Sequence, residues 1–182
     1  MAVSVELEKH FSPASIITAY QDYKISKTDL YNPDIVTIRM GADGITWQEF
    51  EKNLHENAQN ISRRILDGAY YFYPFREVEI PKPTGGTRTL SVASIRDAIV
   101  QKLLYDALYD DVEKIFSASE VDNVSFAYRK RHSAPRAAEK IWEFYKQGYF
   151  FVLDADVVKF FDNLNHQRLI RLVDDLLDEN QR

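Results

Sequence analysis

Two short segments of alternating polar and apolar residues constrain this chain most, because a tight turn separates them. Residues 77–80 are Glu-Val-Glu-Ile, and residues 87–92 are Thr-Arg-Thr-Leu-Ser-Val. A period of two is typical of strands, and the Pro83-Thr-Gly-Gly86 segment between them favours a turn. The pattern therefore predicts a β-hairpin.

Segments with helical periodicity surround the hairpin. Thr46 and Glu49 form a capping-box pattern, and Gly68 is a helix-stop signal. Apolar residues recur at helical spacing in four segments and predict helices over residues 47–67, 94–116, 134–147 and about 169–177. The apolar run Tyr149-Phe-Phe-Val-Leu-Asp154 predicts a short buried strand. The expected fold class is α+β.

The composition excludes several classes of protein. With 182 residues, 45% of them hydrophobic, the chain can build a core and is too apolar to be disordered. No stretch approaches the roughly 20 apolar residues of a membrane helix, and the N-terminus lacks the pattern of a secretory signal. The absence of cysteine excludes disulfides and thiolate metal sites. We therefore expect a cytoplasmic protein with no membrane partner.

The net charge of −5 argues against a nucleic-acid binder, but the charge is unevenly distributed. Residues 124–149 hold six basic side chains and two acidic ones. Arg129, Lys130 and Arg131 are adjacent there and are flanked by aromatic residues. Such a loop suits contact with a phosphate backbone and stacking on bases. The alternative is a solvated run of charges.

Lys82 and Arg88 lie on either side of the predicted turn. Residues equidistant from a turn face each other with Cβ atoms roughly 4.5–5.5 Å apart, so two cations there repel unless an anion lies between them. A triphosphate would supply that anion. The alternative is a hairpin whose charges point to water.

Asp154 and Asp156 follow the predicted strand and would share one of its faces. Carboxylates at a strand end suit Mg²⁺, although they could equally cap the following turn. Phe160 and Phe161 come next, and one of the two rings could lie under a sugar or belong to the core.

Taken in order, five blocks of the sequence resemble the N-terminal half of bacterial reverse transcriptases of the group II intron type, a group with CRISPR-associated and defence relatives. The resemblance covers roughly residues 41–172. The blocks are Gly41-Ala-Asp-Gly-Ile-Thr46, residues 78–90 around Ile-Pro-Lys-Pro-Thr-Gly-Gly-Thr-Arg, Ile95-Arg-Asp-Ala-Ile-Val-Gln101, Ser125-Phe-Ala-Tyr-Arg129, and residues 152–166 around Asp-Val-Val-Lys-Phe-Phe-Asp.

The resemblance implies part of a right-hand polymerase fold: an N-terminal helical extension over residues 1–40, fingers over 41–148, and the beginning of the palm over 149–182. It implies an RNA-directed DNA polymerase whose partners are an RNA template, a DNA or RNA primer and a deoxynucleoside triphosphate. A protein partner or a further polymerase segment would complete the palm.

The same resemblance assigns roles to individual residues. Lys82 and Arg88 would bind the phosphates of the incoming nucleotide. Asp156 would be the catalytic carboxylate that holds Mg²⁺, with Mn²⁺ as a substitute. The carbonyl of Val157 would also contact the metal and nucleotide, and Phe161 would lie under the sugar. The loop over 129–131 would contact the template.

A second palm motif, Tyr-x-Asp-Asp, is expected several dozen residues after Asp156, and the sequence to Arg182 does not contain it. Two-metal phosphoryl transfer needs carboxylates from both motifs, so we expect the isolated chain to be inactive. Tyr109-Asp110-Asp111 lacks the intervening residue and lies in a helical pattern, which indicates helix surface.

Three alternatives stay open at this point. The chain could be a non-catalytic RNA-binding or regulatory module, or a half-enzyme completed by a second chain. Asp-x-Asp after a strand also suits a nucleotide-sugar transferase. A helical interaction domain is the third alternative, which the hairpin disfavours.

Overall fold

The computed structural model describes residues 6–83, 85–158, 160 and 163–177. The chain forms two compact units, one ending at Ala107 and the other beginning at Leu108. The fold is mixed: helices and one two-stranded antiparallel sheet make up the described part, consistent with the α+β class. The predicted boundaries after residues 40 and 148 stay a prediction.

Four helices begin the first unit: α1 (Leu7–His10), α2 (Pro13–Ser26), α3 (Trp47–Lys52) and α4 (Leu54–Leu66). The capping box at Thr46 is confirmed, because its side chain accepts from the Glu49 N–H while the Glu49 carboxylate accepts from the Thr46 N–H. The helix predicted over 47–67 is interrupted at Asn53. At this interruption the Asn57 side-chain amide donates to the carbonyl of Phe50 at 3.0 Å and so bridges α3 and α4.

The core of the first unit lies where α2 packs on α4 and where the next helix, α5 (Ile95–Ser117), begins. The Tyr20 and Phe50 rings are in contact in a tilted arrangement, with centroids 5.1 Å apart and an angle of 40° between their planes. The other buried apolar side chains include Phe11, Ile16, Ala19, Ala58, Ile61, Ile95, Ile99 and Val100. Gly41 passes so close to the start of α5 that a Cβ there would lie 2.5 Å from the Ser94 Cα. Only glycine fits this approach without a backbone shift.

The predicted hairpin is confirmed. Strand β1 (Arg76–Pro81) pairs antiparallel with β2 (Thr87–Val92), and its register sets Ile80 opposite Arg88. One face, which carries Val78 and Leu90, is half-buried, whereas the other face is exposed. This alternation is what the period-two sequence pattern requires.

Three helices complete the described chain: α5 (Ile95–Ser117), α6 (Ala134–Lys146) and α7 (His166–Leu176). Ser133 and Asn165 cap α6 and α7 by accepting backbone N–H bonds. Among the described residues from Leu108 onward, Arg129 alone is buried. Within the part of the chain that the structure describes, no helix combines the length and apolar character needed to cross a membrane.

Candidate functional site

In the hairpin, the residue opposite Arg88 is Ile80, two positions before the predicted partner Lys82. Lys82 donates its backbone N–H to Gly86 at 3.0 Å, and Arg88 pairs with Ile80. The turn is centred one residue earlier than expected, because Gly86 lies opposite Lys82. Gly85 and Gly86 both adopt positive φ, which glycine tolerates, and this allows the tight turn. The expectation that Lys82 and Arg88 are directly opposite is therefore wrong.

Lys82 and Arg88 are diagonal neighbours in this register, a relation that spans about 7–8 Å between Cα atoms. Both residues are exposed, and neither makes an ion pair within the described residues. Glu77 and Glu79 occupy the register positions of the opposite face. Two cationic side chains that form no ion pair with the described residues therefore lie beside the turn.

The buried strand predicted over residues 149–154 is wrong. Residues 149–157 have no strand pairing, and Phe151 and Leu153 are 101% and 92% exposed. A strand needs a neighbour for its backbone hydrogen bonds, and in the described part of the chain β1 and β2 pair only with each other. Residues 149–154 therefore have the amino-acid composition of a strand but do not form one, because no described strand pairs with them.

Asp156 lies in this exposed segment. Its Oδ1 accepts the N–H of Val157 at 2.9 Å, and Val157 itself is 62% exposed. Over the described ranges, no three acidic or histidine side chains lie close enough to hold a metal ion together. Phe161 lies outside the described residues. The metal and sugar roles of these residues stay predictions.

Arg129 has an internal position in the basic loop. Its side chain is 5% exposed. Nε donates to both carboxylate oxygens of Glu113 at 3.1 Å, and Nη1 donates to the carbonyls of Asp122 and Ser125 at 3.1 Å. Nη2 donates to Asp122 Oδ1 at 2.7 Å and to Glu113. All three nitrogens of the guanidinium are engaged within the chain, as in a structural anchor.

The residues after this anchor are turned to solvent. Lys130 and Arg131 are exposed, and the Lys130 ammonium lies 4.1 Å from the centre of the Tyr109 ring. Tyr109 also accepts the Lys130 N–H on its hydroxyl at 2.6 Å. Tyr109-Asp110-Asp111 is part of α5, which confirms its placement on a helix.

The Glu113–Arg129 contact predicts an acid dependence of stability. Hydrogen bonds from Arg129 lower the pKa of Glu113 from 4.5 to about 2. Since the folded pKa is depressed, the stabilisation is fully present above pH 4.5 and is lost as the pH falls through about 2. A Glu113→Gln variant should therefore be less stable than the parent at neutral pH, with a difference that shrinks toward pH 2.

Urea unfolding at several pH values, followed by Trp142 fluorescence in a Trp47→Phe background, measures this difference in the second unit. Glu120→Gln is the matched control, since Glu120 is exposed and makes no ion pair among the described residues. A pH-independent difference for Glu113→Gln would contradict the prediction.

A second polar cluster was not anticipated from the sequence. Asp97 is 1% exposed, and its carboxylate accepts from the Tyr70 hydroxyl at 2.7 Å and from the Tyr73 N–H at 2.9 Å. Burial, reinforced by Asp97, raises the pKa of Tyr70, so its hydroxyl remains a donor. The Arg96 guanidinium stacks on both tyrosine rings, 4.9 and 4.5 Å from their centres. The sequence feature that could have indicated this cluster is the position of Asp97 between Ile95 and Ile99, two apolar residues of a predicted helix.

The sequence is similar to proteins encoded in introns, although no family model matches it. The COX1/OXI3 intron 1 protein of Saccharomyces cerevisiae is 33% identical over 116 residues, 61% of this chain and 13% of that protein. The group II intron-encoded protein LtrA of Lactococcus lactis subsp. cremoris is 28% identical over 119 residues, 65% of this chain and 19% of LtrA. Over 65% of its length, the chain is therefore similar to a group II intron-encoded protein.

This homology confirms the resemblance that the five sequence blocks indicated. Protein YkfC of Escherichia coli K12 is also similar, with 27% identity over 137 residues, 73% of this chain and 35% of YkfC. The matched relatives are much longer, since each alignment covers between 13% and 35% of the relative's length.

Proposed function

We propose that this chain is the N-terminal part of an RNA-directed DNA polymerase, containing the fingers and the start of the palm of a right-hand fold. The observation that carries the proposal is the homology to group II intron-encoded proteins over well over half of the chain. The reaction is the addition of deoxynucleotides to a primer on an RNA template by Mg²⁺-dependent phosphoryl transfer.

The hairpin supports a role in binding the triphosphate. Lys82 and Arg88 carry two positive charges near one turn, and neither is neutralised by an ion pair within the described residues. A polyphosphate chain can span two diagonal positions, so exact opposition of the two side chains is unnecessary. Arg88 can bind a phosphate through two N–H groups, while Lys82 acts as a point charge.

Asp156 and Val157 would contribute a carboxylate and a carbonyl oxygen to Mg²⁺, ligands of the type that this ion prefers. The ion would neutralise charge on the transferring phosphate. These donors are of the kind that Mg²⁺ takes, and the Asp156 carboxylate is exposed and, among the described residues, accepts only the N–H of Val157. Further carboxylates would come from a later part of the polymerase, and Phe161 would lie under the sugar.

The basic loop supports template binding by Lys130 and Arg131. Both side chains are exposed, whereas the Arg129 guanidinium is engaged by Glu113 and Asp122. Arg129 would then act as a positioning residue that holds the loop in shape. Template contact by Arg129 itself would require the guanidinium to give up these partners.

Primer extension tests this proposal directly. The product of the complete reading frame that carries this sequence is expected to extend a DNA primer on an RNA template in Mg²⁺ and to stop when the ion is chelated. The 182-residue chain alone is expected to be inactive under the same conditions. The proposal is wrong if the complete product binds a primer–template but never extends it.

A half-enzyme completed by a second polypeptide is the second candidate, and the exposed apolar residues of the second unit favour it. Trp142, Phe150 and Val152 are 58%, 63% and 86% exposed, so their apolar side chains are available to pack against a second polypeptide. Extension by the 182-residue chain only after a separate palm–thumb polypeptide is added would support this candidate. A non-catalytic RNA-binding module would bind RNA equally well with Asp156→Ala and never gain synthesis.

A further inference from the structure

A cleft of about 210 Å³ on the first unit is not used by the proposed polymerase site. Phe50 and Ile61 line it and are only 4% and 5% exposed, so they provide an apolar base. Its volume is below the roughly 300–1,000 Å³ of most cofactor pockets. It therefore suits one small ring system and a single substituent.

One wall of the cleft is a face of α4. Asn57, Asn60 and Arg64 line the cleft and are spaced three and four residues apart, which brings them onto one side of the helix. Arg64 is exposed and makes no ion pair with any described residue. The wall thus presents two amides and one unpaired cation.

The two amides are each held by a hydrogen bond to a neighbouring residue. Asn57 donates through Nδ2 to the Phe50 carbonyl at 3.0 Å, which leaves its Oδ1 as an open acceptor. Asn60 accepts through Oδ1 from Arg63 at 2.9 Å, which leaves its Nδ2 as an open donor. One donor and one acceptor side by side are complementary to the edge of a nucleobase.

Another part of the lining is aromatic. Tyr70 and Tyr73 line it, and the Arg96 guanidinium stacked on them lies 3.5 Å from the Asp97 carboxylate. Asp43 also lines the cleft and accepts the Ile45 N–H at 3.3 Å. Asp97 offsets the charge of Arg96, and Asp43 adds one negative charge to the lining, so the cation of Arg64 suits a ligand with one phosphate rather than a triphosphate.

We propose that this cleft binds one unstacked nucleotide of a single-stranded RNA. The base would lie on the apolar floor beside the tyrosines, its edge would bond the Asn57 and Asn60 amides, and its phosphate would contact Arg64. Aromatic side chains and amides are the groups by which proteins bind splayed-out RNA bases. The site is separate from Lys82, Arg88 and the basic loop.

The inference that the ligand is RNA rests on the proposed function. The inference that it carries a base and a phosphate rests on the residues of the cleft alone. A free mononucleotide offers the same base and phosphate, so the test has to separate the two sources. Binding is measured on the 182-residue chain without synthesis, and failure of primer extension therefore leaves this test intact.

Fluorescence anisotropy with a labelled nine-nucleotide RNA, over a range of salt concentrations, provides the test. Arg64→Gln is expected to weaken binding about fivefold and to reduce the slope of log affinity against log salt by about one. Lys52→Gln is the matched control, because it removes one exposed charge from the adjacent helix α3 without lining the cleft. Asn60→Ala should alter the preference among homopolymeric RNAs and leave the salt slope unchanged.

Equal effects of Arg64→Gln and Lys52→Gln would overturn the proposal, since they would reveal only a general charge effect. Binding of adenosine monophosphate that Arg64→Gln weakens, together with an RNA affinity that Arg64→Gln leaves unchanged, would overturn the assignment to RNA, because the cleft would then take a free mononucleotide. The midpoint of thermal unfolding should be unchanged in both variants, because both side chains are exposed. A loss of binding can then be distinguished from a loss of folded protein.

Discussion

Replacing Asp97 with alanine is expected to lower the free energy of unfolding of the first unit by about 3–5 kcal/mol. Asp97 is 1% exposed and accepts from the Tyr70 hydroxyl and the Tyr73 N–H. Without the carboxylate, both donors lose their acceptor, and the Arg96 guanidinium loses the charge beside it. The effect is large because these groups cannot all regain water without opening the packing around Tyr70.

Urea unfolding followed by Trp47 fluorescence in a Trp142→Phe background measures this loss, since Trp47 belongs to the same unit as Asp97. Asp97→Asn should have a smaller effect because it keeps one acceptor oxygen. Asp22→Asn is the matched control, an exposed aspartate on α2. A loss of less than about 1 kcal/mol for Asp97→Ala would show that the cluster contributes little.

Replacing Asp156 with alanine in the complete polymerase is expected to reduce primer extension by about a thousandfold or more. The expectation follows from the proposed function, in which Asp156 holds the ion that neutralises the transferring phosphate. Stability should be unchanged, because Asp156 is exposed and, within the part of the chain that the structure describes, bonds only to the N–H of Val157. This separates Asp156 from Asp97, whose loss should act through the fold.

Single-nucleotide incorporation at saturating Mg²⁺ is the appropriate measurement, with primer–template affinity determined alongside it. Asp154→Ala is the control, because it removes a carboxylate two residues away in the same exposed segment. Extension should fall much less for Asp154→Ala than for Asp156→Ala. Equal activity in the two variants would rule out the assignment of the metal-binding carboxylate to Asp156.

The elements that the sequence predicted well are those whose signals are local. The Thr46 capping box and the helix cap at Ser133 each depend on residues within one turn of helix. The hairpin follows from alternation on both sides of a glycine turn. The break at Asn53 escaped prediction because periodicity continues across it.

The errors arose where distant partners decide the outcome. Residues 149–154 have the composition of a buried strand, but strand formation depends on a neighbouring strand, which the described residues do not supply. The template role of Arg129 stays a prediction, and the sequence did not indicate that Glu113 on α5 and Asp122 engage its guanidinium. The register of the hairpin was also mispredicted. The Lys82 N–H bonds to the carbonyl of Gly86, so Arg88 lies opposite Ile80 and not opposite Lys82.

By itself, the sequence determined the helices, the hairpin and the likeness to group II intron-encoded proteins, because those depend on short-range patterns and on the order of motifs. The tertiary structure alone decided that Asp97 is a buried acceptor, that Arg129 faces inward and that Asn57, Asn60 and Arg64 line a cleft with Tyr70 and Tyr73. The physical reason is that burial and pairing of a polar side chain depend on segments far apart in sequence, such as Tyr70 and Asp97.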